Sequence, residues 1–193
     1  MGWVPFMDVA TAALPGVLIL RGRKFGDHRG FFSETFRSDS LEAAGVRHGW
    51  VQDNHSLSSR RGVVRGLHFQ SGAAAQAKLL RVVHGAILDV VVDIRVGSPT
   101  YGQHFAIEIS EAAWNQIYVP VGFAHGFCTL SERVEVIYKV SSYYSPADEA
   151  GLLWCDKELG IEWPVAVDDA TVADRDRSWP ILSELESPFT YKA

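Results

Sequence analysis

Several polar side chains occupy strand positions where apolar side chains are expected. In GVVRGLHFQ, residues 62–70, His68 has the same parity as Val64, and residues two apart in a strand share a face. A single case would more often be a satisfied core residue. Polar groups converging from several strands instead predict a ligand cavity, because burying a lone lysine or carboxylate is costly. The other polar residues that strand alternation places on an inward face are Lys78, Tyr138, His125, Gln70, Glu34, Gln52 and Asn54.

These residue types favour acid–base chemistry beside a carbonyl group. A histidine can take a proton, a lysine cation can hold an enolate oxygen, and a tyrosine can return a proton. The sequence contains neither a Gly-x-Ser-x-Gly elbow nor a Gly-rich phosphate loop. His68-Phe69-Gln70 stands where metal-binding barrels carry His-x-His, so we predict no metal and no cofactor.

Many short strands must position these side chains. Apolar alternation interrupted by Gly, Pro, Asn or Ser predicts strands at 17–21, 30–36, 50–56, 63–70, 78–84, 86–95, 104–109, 115–119, 122–130 and 134–144. Such a pattern is typical of a mainly β sandwich or barrel. The barrel core is expected at about 17–145, followed by a helical or irregular tail at about 146–193.

Two short helices are predicted beside these strands. One spans 38–44, with Ser38 or Asp39 as N-cap and Gly45 as its stop. The other spans 178–186 in the C-terminal tail, where Ser178 is a capping residue and Pro180 follows near the first turn.

The composition predicts one ordinary globular domain. The chain has 193 residues, 47% of them hydrophobic and 21% charged. Its net charge of -5 argues against a nucleic-acid partner. Only Cys128 and Cys155 are present, too few for a disulfide framework, which favours a reducing, cytoplasmic location. Residues 1–20 make a poor signal peptide, and no apolar run is long enough to span a membrane.

Six colinear segments carry a family resemblance. They are GDHRGFFSETF (26–36), VQDNHSLSSRRGVVRGLHFQ (51–70), AQAKLLRVVHGAILDVVVDIRVGSPTYG (75–102), PVGFAHGF (120–127), IYKVSSYYSPADEAG (137–151) and ADRDR (173–177). Together they closely resemble the dTDP-4-dehydrorhamnose 3,5-epimerase family, the RmlC type of the cupin superfamily. The resemblance implies a jelly-roll barrel that works without metal, as a homodimer that shares strands across its interface. The implied reaction converts dTDP-4-dehydro-6-deoxy-D-glucose into dTDP-4-dehydro-L-rhamnose.

The resemblance also implies roles for individual residues. His68 matches the general base, Asp176 its carboxylate partner, Tyr138 the proton donor and Lys78 the group that stabilises the enolate oxygen. Arg29 and Arg65 match the binders of the pyrophosphate, and Tyr144 matches the residue that stacks on thymine. Further substrate-binding positions are implied for Glu34, Gln52, Asp53, Asn54, His125, Glu149 and Arg175.

Three departures from the family pattern are small. Phe69 stands where a tyrosine is frequent, Arg175 where the tail has a lysine, and Val121 where a glutamate is frequent. None touches the implied acid–base set. Three alternatives stay open: an epimerase that inverts one carbon of a related dTDP-ketosugar, a sugar-nucleotide-binding cupin without catalysis, and a metal-dependent cupin.

Overall fold

The computed structural model describes residues 7–192 and is built almost entirely from short β-strands. The predicted mainly β class is confirmed. One α-helix, α1, spans Ser38–Ala43. The strands are β1 Met7–Thr11, β2 Leu18–Gly22, β3 Phe25–Asp27, β4 Gly30–Phe32, β5 Gln52–Ser58, β6 Val63–Gln70, β7 Lys78–His84, β8 Ala86–Asp93, β9 His104–Ser110, β10 Asn115–Val119, β11 Phe123–Thr129, β12 Val134–Val140, β13 Glu149–Gly151 and β14 Thr171–Val172. Short 3₁₀ turns lie at Gly72–Ala74, Lys157–Leu159, Asp174–Arg177 and Leu182–Glu184.

Two sheets pack face to face around the main core. Sheet one has the order β1-β2-β10-β7-β12-β5, and sheet two has the order β13-β6-β11-β8-β9 with β14 beside β6. Leu80 and Val136 of sheet one meet Ile87, Val91 and Phe127 of sheet two in one buried cluster. Inward positions alternate with outward ones along each strand, as in a sandwich. The polar residues that share the inward face are therefore directed into the space between the sheets.

A bulge in β6 changes which residues of this strand face inward. His68 pairs with His125 of β11, and Arg65 pairs with Phe127, so β6 has one more residue than β11 between the two pairs. The extra residue shifts the alternation. Val64 packs with Leu67 and Phe69 in a second cluster behind sheet two, so the inference that Val64 and His68 share one face is wrong.

The C-terminal tail covers the outer face of sheet two. Leu152, Trp154 and Leu182 are buried against residues of β6 and β8 there. Strands β13 and β14 pair with β6, antiparallel and parallel respectively, although the sequence predicted no strand in this region. The tail is thus part of the sandwich. That the whole chain forms one domain stays a prediction, and residues 1–6 and 193 lie outside the described part.

The predicted helix at 178–186 is wrong. Only a 3₁₀ turn at Leu182–Glu184 forms, because the preceding residues bond elsewhere. The Ser178 hydroxyl donates back to the Arg175 carbonyl at 2.9 Å, and the Pro180 carbonyl accepts from the Leu153 N–H at 2.8 Å. Tertiary hydrogen bonds here replace a local cap.

The remaining differences from the predicted elements are in their boundaries. The predicted N-cap at Ser38 or Asp39 is wrong, because both lie inside helix α1 and the N-cap is Arg37, which makes no side-chain cap hydrogen bond. The helix ends just before Gly45 with its φ of +91°, as predicted. The predicted strands at 30–36 and 134–144 end early, at Phe32 and Val140. Beyond these boundary differences, strands β1 and β3 were not predicted at all. Within residues 7–192, no helix has the length and apolar character needed to cross a membrane.

Gly66 is the position at which the bulge tolerates no side chain. Its φ is +131°, and a Cβ there would lie 2.6 Å from the Gly126 Cα and 2.9 Å from the His125 carbonyl oxygen. We expect Gly66→Ala to lower the free energy of unfolding by about 2 kcal/mol more than Gly97→Ala, because overpacking adds roughly 1–3 kcal/mol to the backbone strain.

Urea unfolding of both variants, followed by tryptophan fluorescence, measures this difference. Gly97 is a matched control because its φ of +83° is also positive, whereas a Cβ placed there would meet no atom within 4 Å among the described residues other than Gly97 and its two chain neighbours. Equal losses in the two variants would show that the close approach of β6 and β11 is unimportant.

Candidate active site

Two adjoining cavities open between the sheets. The first has a volume of about 420 Å³ and is lined by residues of both sheets and of the tail. The second has a volume of about 310 Å³ and lies toward the loop after β12. His68, Lys78, Tyr138 and Arg175 line both cavities. The sequence-predicted acid–base residues therefore lie where the two cavities meet.

His68 of β6 and Asp176 of the C-terminal tail form a histidine–carboxylate pair. The Nε2 atom of His68 lies 2.7 Å from Oδ1 of Asp176. Because an ionised carboxylate only accepts hydrogen bonds, Nε2 carries the hydrogen and Nδ1 keeps its lone pair. In this tautomer the Nδ1 atom of His68 is able to accept a proton, as a general base requires.

The Asp176 carboxylate is held in its charged form although its side chain is only 3% exposed. Burial alone would raise its pKa, but hydrogen bonds to the charged form outweigh this effect and lower the pKa below its ordinary value. The donors are His68, the Gly66 backbone N–H at 3.2 Å and the Trp179 indole N–H at 3.3 Å. Asp176 can therefore steady an imidazolium that forms beside it.

Lys78 and Tyr138 enter the cavity from sheet one, opposite His68. Burial lowers the pKa of Lys78 to about 8, while the charges of Asp89 and Glu149 act in the opposite direction. Burial raises the pKa of Tyr138, which keeps its hydroxyl protonated. The Lys78 Nζ donates to the His68 carbonyl oxygen at 3.3 Å. At neutral pH Lys78 thus supplies a cation and Tyr138 a phenolic donor, and both lie across the cavity from the His68 imidazole.

A second histidine–carboxylate pair lies next to the first. His125 pairs with His68 across β6 and β11, and its Nε2 atom lies 2.9 Å from Oδ2 of Asp89. Asp89 is completely buried, and His125 lines the first cavity. The carboxylate fixes the orientation of the His125 ring.

The second cavity is richer in hydrogen-bonding groups. Glu149 accepts from the Tyr144 hydroxyl at 2.8 Å and from Arg175 Nη1 at 2.7 Å. The Gln52 amide donates to Asn54 Oδ1 at 2.8 Å, and its oxygen accepts from the Tyr144 backbone N–H at 3.0 Å. Tyr144 itself is half exposed, which leaves an aromatic face open at the cavity rim.

Of the other residues implied by the resemblance, Arg65 lines a cavity, whereas Arg29, Glu34 and Asp53 line neither. Arg65 lines the first cavity and donates to Ser58 Oγ at 3.2 Å. Arg29, in the β3–β4 hairpin, lines neither cavity and is paired with Asp27 at 2.5 Å. Glu34 lies 3.7 Å from Arg37. Asp53 faces outward on β5, where it binds Lys139 at 2.9 Å. The ligand roles of all the implied site residues stay predictions.

Sequence reasoning missed two contributors to this site. Asp89 is the buried partner of His125, and an acidic residue inside the apolar run 86–95 was an available signal. Trp179 bonds to Asp176, and nothing local to its sequence indicates that contact. Within residues 7–192, no group of three or more histidine, cysteine or acidic side chains is arranged to hold a metal ion.

The sandwich and its cavity define a cupin-like barrel with an acid–base site. The chain matches the family model described as dTDP-4-dehydrorhamnose 3,5-epimerase over residues 11–184. It is 47% identical to the dTDP-4-dehydrorhamnose 3,5-epimerase of Sinorhizobium fredii, over 96% of this chain and 94% of that protein. The chain belongs to the dTDP-4-dehydrorhamnose 3,5-epimerase family, and is therefore an isomerase with the cupin jelly-roll fold.

Two solved structures resemble the whole barrel. The Bacillus anthracis dTDP-4-dehydrorhamnose 3,5-epimerase with TDP and PPi bound is 47% identical, with a TM-score of 0.87, over 91% of this chain and 99% of that one. The Legionella pneumophila dTDP-6-deoxy-D-glucose-3,5-epimerase RmlC, in complex with dTDP-4-keto-L-rhamnose, is 36% identical, with a TM-score of 0.91, over 97% and 100%. These matches confirm the predicted family and the jelly-roll barrel.

The rate at which the Lys78 amine reacts with a reagent should depend on pH in a way that reports the burial of this site. Its neutral amine forms as the pH rises through about 8, so acylation by a small amine reagent should reach half its maximal rate there. Mass spectrometry of the labelled peptide measures that rate. In denatured protein the same lysine should titrate near its ordinary value of ~10.4. A midpoint near 10.4 in the folded protein would show that Lys78 is not desolvated.

Proposed function

We propose that the protein converts dTDP-4-dehydro-6-deoxy-D-glucose into dTDP-4-dehydro-L-rhamnose, by inverting the two carbons that flank the ketone. The observation that carries the proposal is the His68–Asp176 pair facing Lys78 and Tyr138 across one cavity, in a chain of this family. A product of this kind belongs to dTDP-L-rhamnose biosynthesis.

Each inversion begins with removal of a hydrogen beside the ketone. The His68 Nδ1 atom takes the proton, and the electrons of the C–H bond move onto the ketone oxygen as an enolate. The Asp176 carboxylate stabilises the resulting imidazolium, while the Lys78 ammonium stabilises the enolate oxygen. Because the cavity is buried, both charge interactions are stronger than they would be in water.

Proton return from the opposite side completes the inversion. The Tyr138 hydroxyl lies on sheet one, across the cavity from His68 on sheet two, and its raised pKa keeps it a donor. It gives its proton to the carbanionic carbon as the enolate collapses to the ketone. Proton exchange with solvent then restores both residues, and the second carbon follows the same course.

The nucleotide belongs in the second cavity in this proposal. Arg65 and Arg175 are cations beside the sugar site, and arginine binds diphosphates through paired, charge-assisted hydrogen bonds. The half-exposed ring of Tyr144 offers a face on which thymine can stack. His125, Gln52, Asn54 and Glu149 supply further polar contacts.

We also propose that the protein acts as a homodimer. The β3–β4 hairpin exposes Phe31 and Phe32, at 56% and 68%, and carries Arg29 away from the cavities of its own chain. Strands β1 and β5 leave both edges of sheet one without a neighbour among residues 7–192. A second copy would cover the hairpin and bring Arg29 to the partner's cavity.

A cytoplasmic location is part of the proposal. Cys128 and Cys155 are both free thiols. Burial raises the pKa of Cys128 to about 11, which leaves its thiol unreactive. Two unpaired cysteines suit a reducing compartment.

Proton NMR in deuterated water tests the proposed reaction. EDTA-treated protein with dTDP-4-dehydro-6-deoxyglucose should place deuterium at both carbons beside the ketone. His68→Ala should retain binding of dTDP but lose at least about 99% of the exchange rate, because general-base catalysis contributes roughly 10²–10⁴-fold. His84→Ala is the matched control, since His84 pairs with Glu111 on the exposed surface.

The pattern of exchange separates the alternatives. Exchange at one carbon alone would identify a single-carbon epimerase. Tight binding of dTDP without exchange would identify a binding protein, and activity lost on chelation but restored by metal would identify a metal-dependent enzyme. Retention of more than about a tenth of the rate in His68→Ala would remove His68 as the base.

Mixing two inactive variants tests the shared dimer site. If Arg29 serves the partner's cavity, a heterodimer of His68→Ala and Arg29→Ala has one intact site, so activity should reappear after the subunits exchange. If Arg29 serves its own chain, both sites stay defective and activity stays absent. Sedimentation of the unmixed variants gives their oligomeric state, and a monomer would contradict the proposal.

A further inference from the structure

We propose that Trp179 is a positioning residue, which packs on Gly151 and holds the Asp176 carboxylate against His68. We call this contact between Trp179 and Gly151 the tail latch. The latch deepens the proposed function and rests on it, because it acts through the base of that reaction.

The indole of Trp179 shares its acceptor with the catalytic histidine. Its Nε1–H donates to Oδ1 of Asp176 at 3.3 Å, and the same oxygen accepts from His68 Nε2 at 2.7 Å. The rings of His68 and Trp179 meet edge to face, with centroids 6.4 Å apart. Trp179 thus contacts both members of the pair, although it lines neither cavity.

Gly151 provides the space in which the indole lies. A Cβ at this position would lie 2.6 Å from three ring atoms of Trp179. Gly151 pairs directly with His68 between β13 and β6, so the ring rests on the backbone that is hydrogen-bonded to the histidine strand. Any larger residue at position 151 would displace the ring, and the indole N–H with it.

Two hydrogen bonds, one to a backbone carbonyl and one to a side chain, fix the chain just beyond Trp179. The Leu153 N–H donates to the Pro180 carbonyl at 2.8 Å, and the Leu182 N–H donates to Oδ2 of Asp156 at 2.7 Å. The segment 151–156 therefore joins β6 to the part of the tail that carries Asp176. Because Asp176 lies in a short 3₁₀ turn, its position depends on such tertiary contacts.

The charges around Asp176 set the direction of the expected pH effect. Burial raises the pKa of Asp176, and the indole N–H is one of the hydrogen bonds that lower it again. Loss of this donor should therefore raise the pKa and let the carboxylate protonate at a higher pH. The ionisable groups that face Asp176 or line the same cavity are His68, Arg175, Arg65, Lys78, His125 and Tyr138.

The first test replaces the indole and keeps an aromatic ring. Trp179→Phe should lower kcat about tenfold, since it removes a hydrogen bond to a charged group, and the KM for the dTDP-sugar should stay within about twofold. The acid limb of the pH profile of kcat should move to higher pH. Unchanged kcat and pH profile in Trp179→Phe would overturn the proposal.

Trp163→Phe is the matched control for this variant. The Trp163 indole donates to the Trp154 carbonyl at 2.8 Å, and neither residue lines the two cavities. Its loss should change stability without changing the pH profile. An equal shift of the acid limb in Trp163→Phe would mean that any lost indole bond loosens the site, and the specific role of Trp179 would be wrong.

A double-mutant cycle tests the contact with Gly151. Gly151→Ala should lower kcat in the wild-type background, because its Cβ displaces the ring. The same change should have no further effect in a Trp179→Ala background, where the ring is absent. Independent effects that simply multiply would show that Gly151 acts through something other than Trp179.

An NMR measurement on the free enzyme separates this proposal from the proposed function. The downfield proton resonance of the His68 Nε2–H reports its hydrogen bond to Asp176 without turnover. It should broaden or shift in Trp179→Phe and stay unchanged in Trp163→Phe. If the resonance changes in Trp179→Phe alone, but the wild type shows no deuterium exchange, the proposed reaction is wrong and the role of the tail latch is supported. If the wild type shows deuterium exchange but the resonance is unchanged in Trp179→Phe, the tail latch is wrong and the proposed reaction is unaffected.

Discussion

The hydrogen bond between His68 and Asp176 is the interaction on which the rest of the site depends. Asp176 is a buried carboxylate from the tail, and a buried charge is strongly unfavourable unless several donors satisfy it. Those donors come from two separate parts of the chain: His68 and Gly66 on β6, and Trp179 beyond the turn. Satisfying one charge therefore fixes the position of the tail, the shape of the bulge and the tautomer of the histidine together.

Burial has a different effect on the pKa values of Lys78 and Tyr138, which line the cavity from sheet one. It lowers the pKa of a cation and raises the pKa of a phenol, so the pKa of Lys78 falls below that of Tyr138 and the two values move apart. Both groups still carry their protons at neutral pH. Among the implied acid–base residues, the proton acceptor His68 is consequently on sheet two and the donors Lys78 and Tyr138 are on sheet one. This asymmetry suits an enolate, which needs a base on one side and stabilising donors on the other.

Strand periodicity was sufficient to predict the inner wall of the barrel but not its exceptions. Lys78 and Tyr138 were found by parity because alternation directs every second side chain inward, whereas the parity argument for His68 used Val64 as its reference. The bulge at Gly66 placed Val64 on the other face, since one added residue reverses the alternation. The tail was predicted poorly, because its conformation is set by contacts with distant residues. The 178–186 segment has the sequence pattern of a helix. Its Pro180 carbonyl, however, accepts from the Leu153 N–H and is not available for a hydrogen bond within a helix.

A single base is enough for two inversions because of the shape of the proposed substrate. In a D-gluco ring the hydrogens at the two carbons beside C4 are both axial and lie on the same face. A sugar bound with that face toward sheet two presents both hydrogens to His68 in turn, and both carbons then receive protons from sheet one. No second base is required, so the buried His125–Asp89 pair is free to orient the substrate. The number of carbons inverted thus depends on how the cavity lets the ring shift past one imidazole between the two steps.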